Sequence, residues 1–147
     1  MALTMLDKST DSAETWAWPP AVAAEFERER GNHNGCVGRT LVSENDRVRV
    51  WMIRLAPGER ISFHRHVLDY FWICVTGGRG RQHVNGGKTV EYTYRPGETR
   101  HETYAAGEHK VHDLQNIGGK EMVFITVEFV ESANKPLAIP TTARAAA

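Results

Sequence analysis

The 147-residue sequence predicts an all-β domain of the sandwich or barrel class, preceded by one short helix. Three observations lead there. Short runs rich in β-branched and aromatic residues recur along most of the chain, Gly, Pro, Asn and Asp interrupt them at fairly regular intervals, and no long helical periodicity breaks the series. The length suits one domain with a sizeable core. No internal repeat suggests a propeller or a solenoid.

The helix comes first. Pro19-Pro20 leads into Ala21-Val22-Ala23-Ala24-Glu25-Phe26-Glu27-Arg28-Glu29-Arg30, good helix formers behind a starting proline, and Gly31 stops them. Just upstream, Trp16 and Trp18 alternate with small residues, in a segment that could lie across the barrel or reach a partner subunit. Strands are then expected over 37–42 and 47–55, separated by the turn Glu44-Asn45-Asp46, and over 60–64 after Pro57-Gly58-Glu59. Runs at 70–76, 81–84 and 89–94 are bounded by Gly77-Gly78, by the hairpin signal Asn85-Gly86-Gly87 and by Arg95-Pro96-Gly97-Glu98. Runs at 111–116 and 122–131, split by Gly118-Gly119, close the series. The organisation read from this is an N-terminal arm and helix over 1–31, a barrel over 32–131, and an irregular tail over 132–147 that ends in an alanine run expected to be disordered.

Composition narrows the partners. Eighteen basic residues balance eighteen acidic ones, so no phosphate-tracking surface is expected and nucleic acid is excluded as a partner. The pairs Arg28/Arg30 and Arg79/Arg81 are too short for basic patches and read as solvated faces. No stretch approaches the roughly eighteen apolar residues of a membrane span, so no membrane association is expected. Residues 1–12 lack the basic-then-apolar order of a signal peptide, which makes the cytoplasm the expected location. Cys36 and Cys74 stand in no metal or redox spacing and are expected to be reduced. Cys74, within Phe71-Trp72-Ile73-Cys74-Val75, reads as a small buried hydrophobe, with a reactive thiol at the barrel mouth as the alternative.

The placement of the seven histidines carries the chemistry. His64 and His66 flank Arg65, and on an extended strand alternate side chains share a face, so both imidazoles can point the same way. Imidazole is a good ligand for iron, zinc, nickel and copper and a weaker one for manganese. His33 sits in a Gly/Asn-rich loop and reads as exposed, while His83 and His101 read as structural or surface residues. Arg54, Arg60 and Arg100 are candidates to grip a substrate carboxylate through two parallel hydrogen bonds, although each also reads as an ordinary exposed strand residue.

The stretch from Gly58 through His64, His66 and Tyr70 to Gly77 resembles the first motif of the cupins, Gly-x5-His-x-His-x3-Glu-x6-Gly, with both glycines and both histidines in register. His112-Asp113-Leu114-Gln115-Asn116 is similar to the His-x3-Asn core of their second motif, and Pro96-Gly97-Glu98 resembles the turn that opens it. The likeness spans roughly residues 47–129 and points to single-domain cupins of the RmlC-like superfamily, cupin_2 type. The stretch around His64-Arg65-His66 also has a faint likeness to small bacterial cupins associated with β-alanine degradation.

The resemblance implies a cupin double-stranded β-helix, a jelly-roll barrel, behind the short N-terminal helix. It implies one divalent transition metal (Fe, Zn, Ni, Mn or Cu) on His64, His66 and His112, with His109 as the competitor of His112 under a shifted register. The family's usual glutamate falls on Tyr70. Tyr70 is open to three readings: a packed strand residue, an acid/base group beside the substrate, or a phenolate ligand. Asp69 is one residue out of phase, and Asn116 reads as a strand-end hydrogen-bonding residue.

Three neutral imidazoles keep the metal's full charge and leave coordination positions open, which favours a small anionic substrate and a dioxygenase- or lyase-like enzyme. A non-catalytic metabolite- or metal-binding cupin, serving as sensor or accessory protein, is the first alternative. A metal-free isomerase or epimerase is the second. By the same resemblance the chain is expected to form a homodimer.

Overall fold

A computed structural model describes residues 18–144 of the chain. One helix, α1 (Pro20–Gly31), is followed by nine strands: β1 (Thr40–Glu44), β2 (Val48–Leu55), β3 (Arg60–His66), β4 (Tyr70–Cys74), β5 (Gly78–Val84), β6 (Lys88–Tyr94), β7 (Glu98–Glu102), β8 (Lys110–Asn116) and β9 (Met122–Phe129). They form two antiparallel sheets, ordered β1-β2-β9-β4-β7 and β3-β8-β5-β6. Between the sheets lies the main core, in which Ile53, Leu55, Trp72, Tyr94, Leu114 and Phe124 interdigitate.

Two further clusters adjoin it. Pro20 occupies the first turn of α1, where its missing N–H costs nothing, and the helix packs Phe26 with Trp18 onto Phe63 and Val111 of the four-stranded sheet. Trp18 therefore covers the chain's own barrel; Trp16 lies outside the described residues, as does the terminal alanine run at 145–147. The tail returns to the other sheet, where Ala143 and Ile139 join Val37, Leu41 and Trp51, and Arg144 bridges to Leu41 on the free edge of β1.

Most strands lie where the turn residues place them. The first runs over Thr40–Glu44 rather than 37–42, and ahead of it Gly38 lies so close to Trp51 that a Cβ there would sit 2.6 Å from the Trp51 Cβ. A second difference is larger. The stretch Glu98-Thr99-Arg100-His101-Glu102, where no strand is expected, is the edge strand β7, paired along its whole length with β4. It contains no apolar residue, and charges are what a sheet edge tolerates best. Among the described residues no helix is long and apolar enough to cross a membrane.

Candidate metal centre

The centre is built on the inner face of the four-stranded sheet. His64 and His66 alternate with Arg65 on β3 and both point inward, each only 2% exposed. In the antiparallel register His64 stands directly opposite His112 of β8, so the third imidazole reaches the same face from the neighbouring strand. The three ring centroids are 4.6–5.1 Å apart, and one ring nitrogen from each lies within 4.8 Å of the others. His109, one residue ahead of β8, is not part of this group.

Hydrogen bonds at the rear of two rings set their tautomers. His64 Nδ1 is 2.9 Å from the Ser62 carbonyl oxygen and His112 Nδ1 is 2.5 Å from Gln82 Oε1. Both acceptors require an N–H at Nδ1, which leaves the Nε2 lone pairs of His64 and His112 facing the cavity. His66 Nε2 lies 3.0 Å from His112 Nε2. Without a cation between them, His66 must donate to His112, and its buried Nδ1, which has no partner, is then an orphan acceptor.

Two nitrogens each about 2.1 Å from one ion and at right angles would lie about 3.0 Å apart, so the observed spacing suits neighbouring ligands of a single metal. The protonation state suits it as well. Burial holds His64 down to about 4, and burial with the neighbouring His64 and Lys110 charges holds His66 well below the usual imidazole range. His112 is lowered in the same way by burial, then by Lys110 and the other two histidines. Three neutral imidazoles with their lone pairs converging are a donor set for a divalent transition ion.

The rings open on a cavity of about 40 Å³, bounded by Tyr70, Trp72, Tyr94, Phe124 and Thr126 as well as the histidines. That is room for roughly three waters or a few heavy atoms. Tyr70 projects inward from β4 and stacks on His66, with centroids 4.1 Å apart and planes 13° from parallel. Its hydroxyl accepts a hydrogen bond of 2.9 Å from Lys110 Nζ. Burial pushes the phenol well above its usual value, and the neighbouring Tyr104, Glu102 and Glu128 push the same way. The neutral hydroxyl is thus the form this environment favours.

The other sequence candidates lie elsewhere. Arg54 pairs with Glu121 in solvent, and Arg60 is held by Glu25 and Asp113 on the outer face of the sheet. Arg100 lies opposite Trp72, and its Nη1 is buried without a partner. Asp69 accepts from the Tyr104 amide, away from the histidines. Asn116 ties the strand end by donating to the Leu55 and Lys120 carbonyls. Cys74 is fully buried in the main core, and burial pushes its thiol up; His33 and His101 are exposed.

Three inner-face residues escaped the sequence reading. Lys110 is two positions before His112, so strand periodicity alone could have placed it beside the imidazoles. Gln82, which orients His112, and Glu128, which accepts from Trp51 Nε1 at 2.8 Å, carry no such signal. Their inward direction depends on the pairing of β5 and β9.

No protein-family model and no curated protein matches the sequence. Solved structures do match the fold. A cupin domain from Bordetella pertussis Tohama I is 28% identical, with a TM-score of 0.52 over 59% of this chain and 85% of the other. The fold is that of a single-domain cupin. A conserved protein with a double-stranded β-helix domain from Klebsiella pneumoniae gives 0.51 at 22% identity, over 65% of this chain and 78% of its own. An RmlC-like cupin family protein from Methanocaldococcus jannaschii gives 0.50 at 17% identity, over 61% and 76%. In this cupin fold the three-histidine cluster is the group of side chains, among the described residues, suited to hold a metal.

Proposed function

We propose that this cupin is a three-histidine metalloenzyme, dioxygenase- or lyase-like, acting on a small anionic metabolite. The observation that carries the reading is the convergence of three buried, neutral imidazoles on one small cavity, with His66 Nε2 and His112 Nε2 only 3.0 Å apart. His64, His66 and His112 would hold one Fe, Zn, Ni, Mn or Cu ion, which supplies Lewis acidity and, if redox-active, electron transfer at its open positions.

The surrounding residues act on the ligand. Among the described residues no carboxylate lines the cavity to offset the metal's charge, and an anionic group is favoured beside it. Arg100, whose Nη1 is buried without a hydrogen-bond partner and which stands opposite Trp72, adds a cation on the β7 side. Trp72, Tyr94 and Phe124 exclude water, and the neutral Tyr70 hydroxyl is placed to donate to or orient a bound oxygen atom.

Elemental analysis of tag-free protein tests the site, followed by oxygen uptake and product analysis of the iron-loaded form with small carboxylic acids, thiols and diketones. Stoichiometric metal and turnover of one class are expected. Less than a tenth of an equivalent of any of these metals, with no uptake on reconstitution, refutes it. Arg100→Met is expected to weaken binding of the anionic ligand while leaving metal content unchanged.

A second reading has its own support. The cavity holds only a few atoms, and the Tyr70 hydroxyl is already engaged by Lys110, which suits a cupin that binds a metal or metabolite without converting it. Saturable binding with no turnover across the panel would favour it.

A further inference from the structure

We propose that α1 and the loop after it are the positioning element of the three-histidine site, fixing β3 through Glu25, Glu29 and Asn34; this rests on the metal-site reading above. The strand that carries His64 and His66 is the edge of its sheet, with β8 on one side only. Its pairing with β8 is irregular between Ile61 and His64, where the two strands leave register. Such an edge is prone to fray, and a one-residue slip would turn both histidines to the outside.

What holds its free side is not a strand. The Phe63 amide donates to Glu25 Oε2 at 2.8 Å, the Phe63 carbonyl accepts from Asn34 Nδ2 at 2.8 Å, and the Arg65 amide donates to the Asn34 carbonyl at 2.7 Å. Glu25 and Glu29 are four residues apart and share one face of α1. Glu29 grips Arg65, the residue between the two histidines, through two bonds of 2.7 and 3.0 Å, with both side chains under 5% exposed. The same carboxylate accepts from the Asn34 amide.

Glu25 extends the hold to the other strands of the site. It binds both terminal nitrogens of Arg60, whose Nε donates to Asp113 at 2.6 Å. Asp113 follows His112, and it also takes the backbone and ring N–H of His83, the residue after the Gln82 that orients His112. Each of the three histidines thus has an outward neighbour, Arg65 or Asp113, locked in an ion pair. A buried carboxylate and guanidinium cost desolvation that an apolar pair would not. Their position, one residue behind each histidine, is what a positioning role explains.

The test compares wild type, Glu29→Gln, Asn34→Ala and the control Glu27→Gln, whose partner Arg30 is exposed. Cobalt(II) titration of tag-free protein reads affinity and the ligand-field spectrum, and long-range proton–nitrogen spectra of the metal-free protein read the tautomers of His64 and His112. Glu29→Gln and Asn34→Ala are expected to bind cobalt roughly 10- to 100-fold more weakly, with an altered spectrum and mixed tautomers. Glu27→Gln should behave as wild type. Either variant that stays folded and keeps wild-type affinity, spectrum and tautomers overturns the positioning role. If wild type takes no cobalt, the metal-site reading fails, and the tautomer pattern still decides whether α1 positions the histidines.

Discussion

The two faces of the four-stranded sheet use the same strands in opposite ways. Outward, Arg65, Asp113 and His83 are buried and charged or polar, and their hydrogen-bonding groups are met by α1, by Arg60 or by each other. Inward, one residue away, His64, His66 and His112 are neutral and converge on a space where the Nε2 atoms of His66 and His112 stand 3.0 Å apart. Polar groups that find all their partners within the chain are accounted for by the fold. Ring nitrogens held around a small cavity at the spacing of neighbouring metal ligands suit a guest ion.

The contrast breaks most completely at the inner face. His66→Ala is expected to abolish stoichiometric metal binding, measured by elemental analysis, while costing only about 1–2 kcal/mol of stability. At the outer face the order reverses. Asp113→Ala strands Arg60 and His83 without their shared carboxylate and is expected to cost roughly 3–5 kcal/mol in urea unfolding. A variant that unfolds at the wild-type midpoint would show that the charged wall contributes little to the fold.

Glu128 offers a pH test on the five-stranded sheet. Burial raises its carboxyl to about 7, although Trp51 and Arg49 pull the other way. The folded chain therefore keeps a proton that the unfolded chain has released. Its contribution is full below the ordinary glutamate value near 4.5 and is lost as pH rises to about 7. This amounts to something on the order of 3 kcal/mol. Glu128→Gln should flatten that slope; an unchanged slope would exclude Glu128 as its source. The smallest effect is expected from Tyr70→Phe, about 1 kcal/mol for the lost Lys110 bond. If Tyr70 also serves the substrate, kcat should fall with metal content unchanged.

Much of this was legible in the residues. Proline at the helix start, the Asn85-Gly86-Gly87 turn and the alternating apolar runs are local signals with local causes, and they mark α1 and most of the strands. The His64-Arg65-His66 spacing announces a shared face because a strand has a period of two. β7 was not legible, since Glu98-Thr99-Arg100-His101-Glu102 has no strand pattern of its own and becomes one only by pairing with β4. Nor was the rear wall: Glu29 and Arg65 are 36 residues apart, and Arg60 and Asp113 are 53 apart.

The all-β class, the helix and the two histidines on one strand face are local properties of the chain, because they follow from chirality, turn chemistry and side-chain alternation along a few residues. Long-range packing is what places His112 opposite His64, lets Gln82 set its tautomer, stacks Tyr70 on His66 and binds the charges behind them to α1. Those facts depend on strand register and sheet packing, which are settled by the burial of the whole core and not by any short stretch of chain.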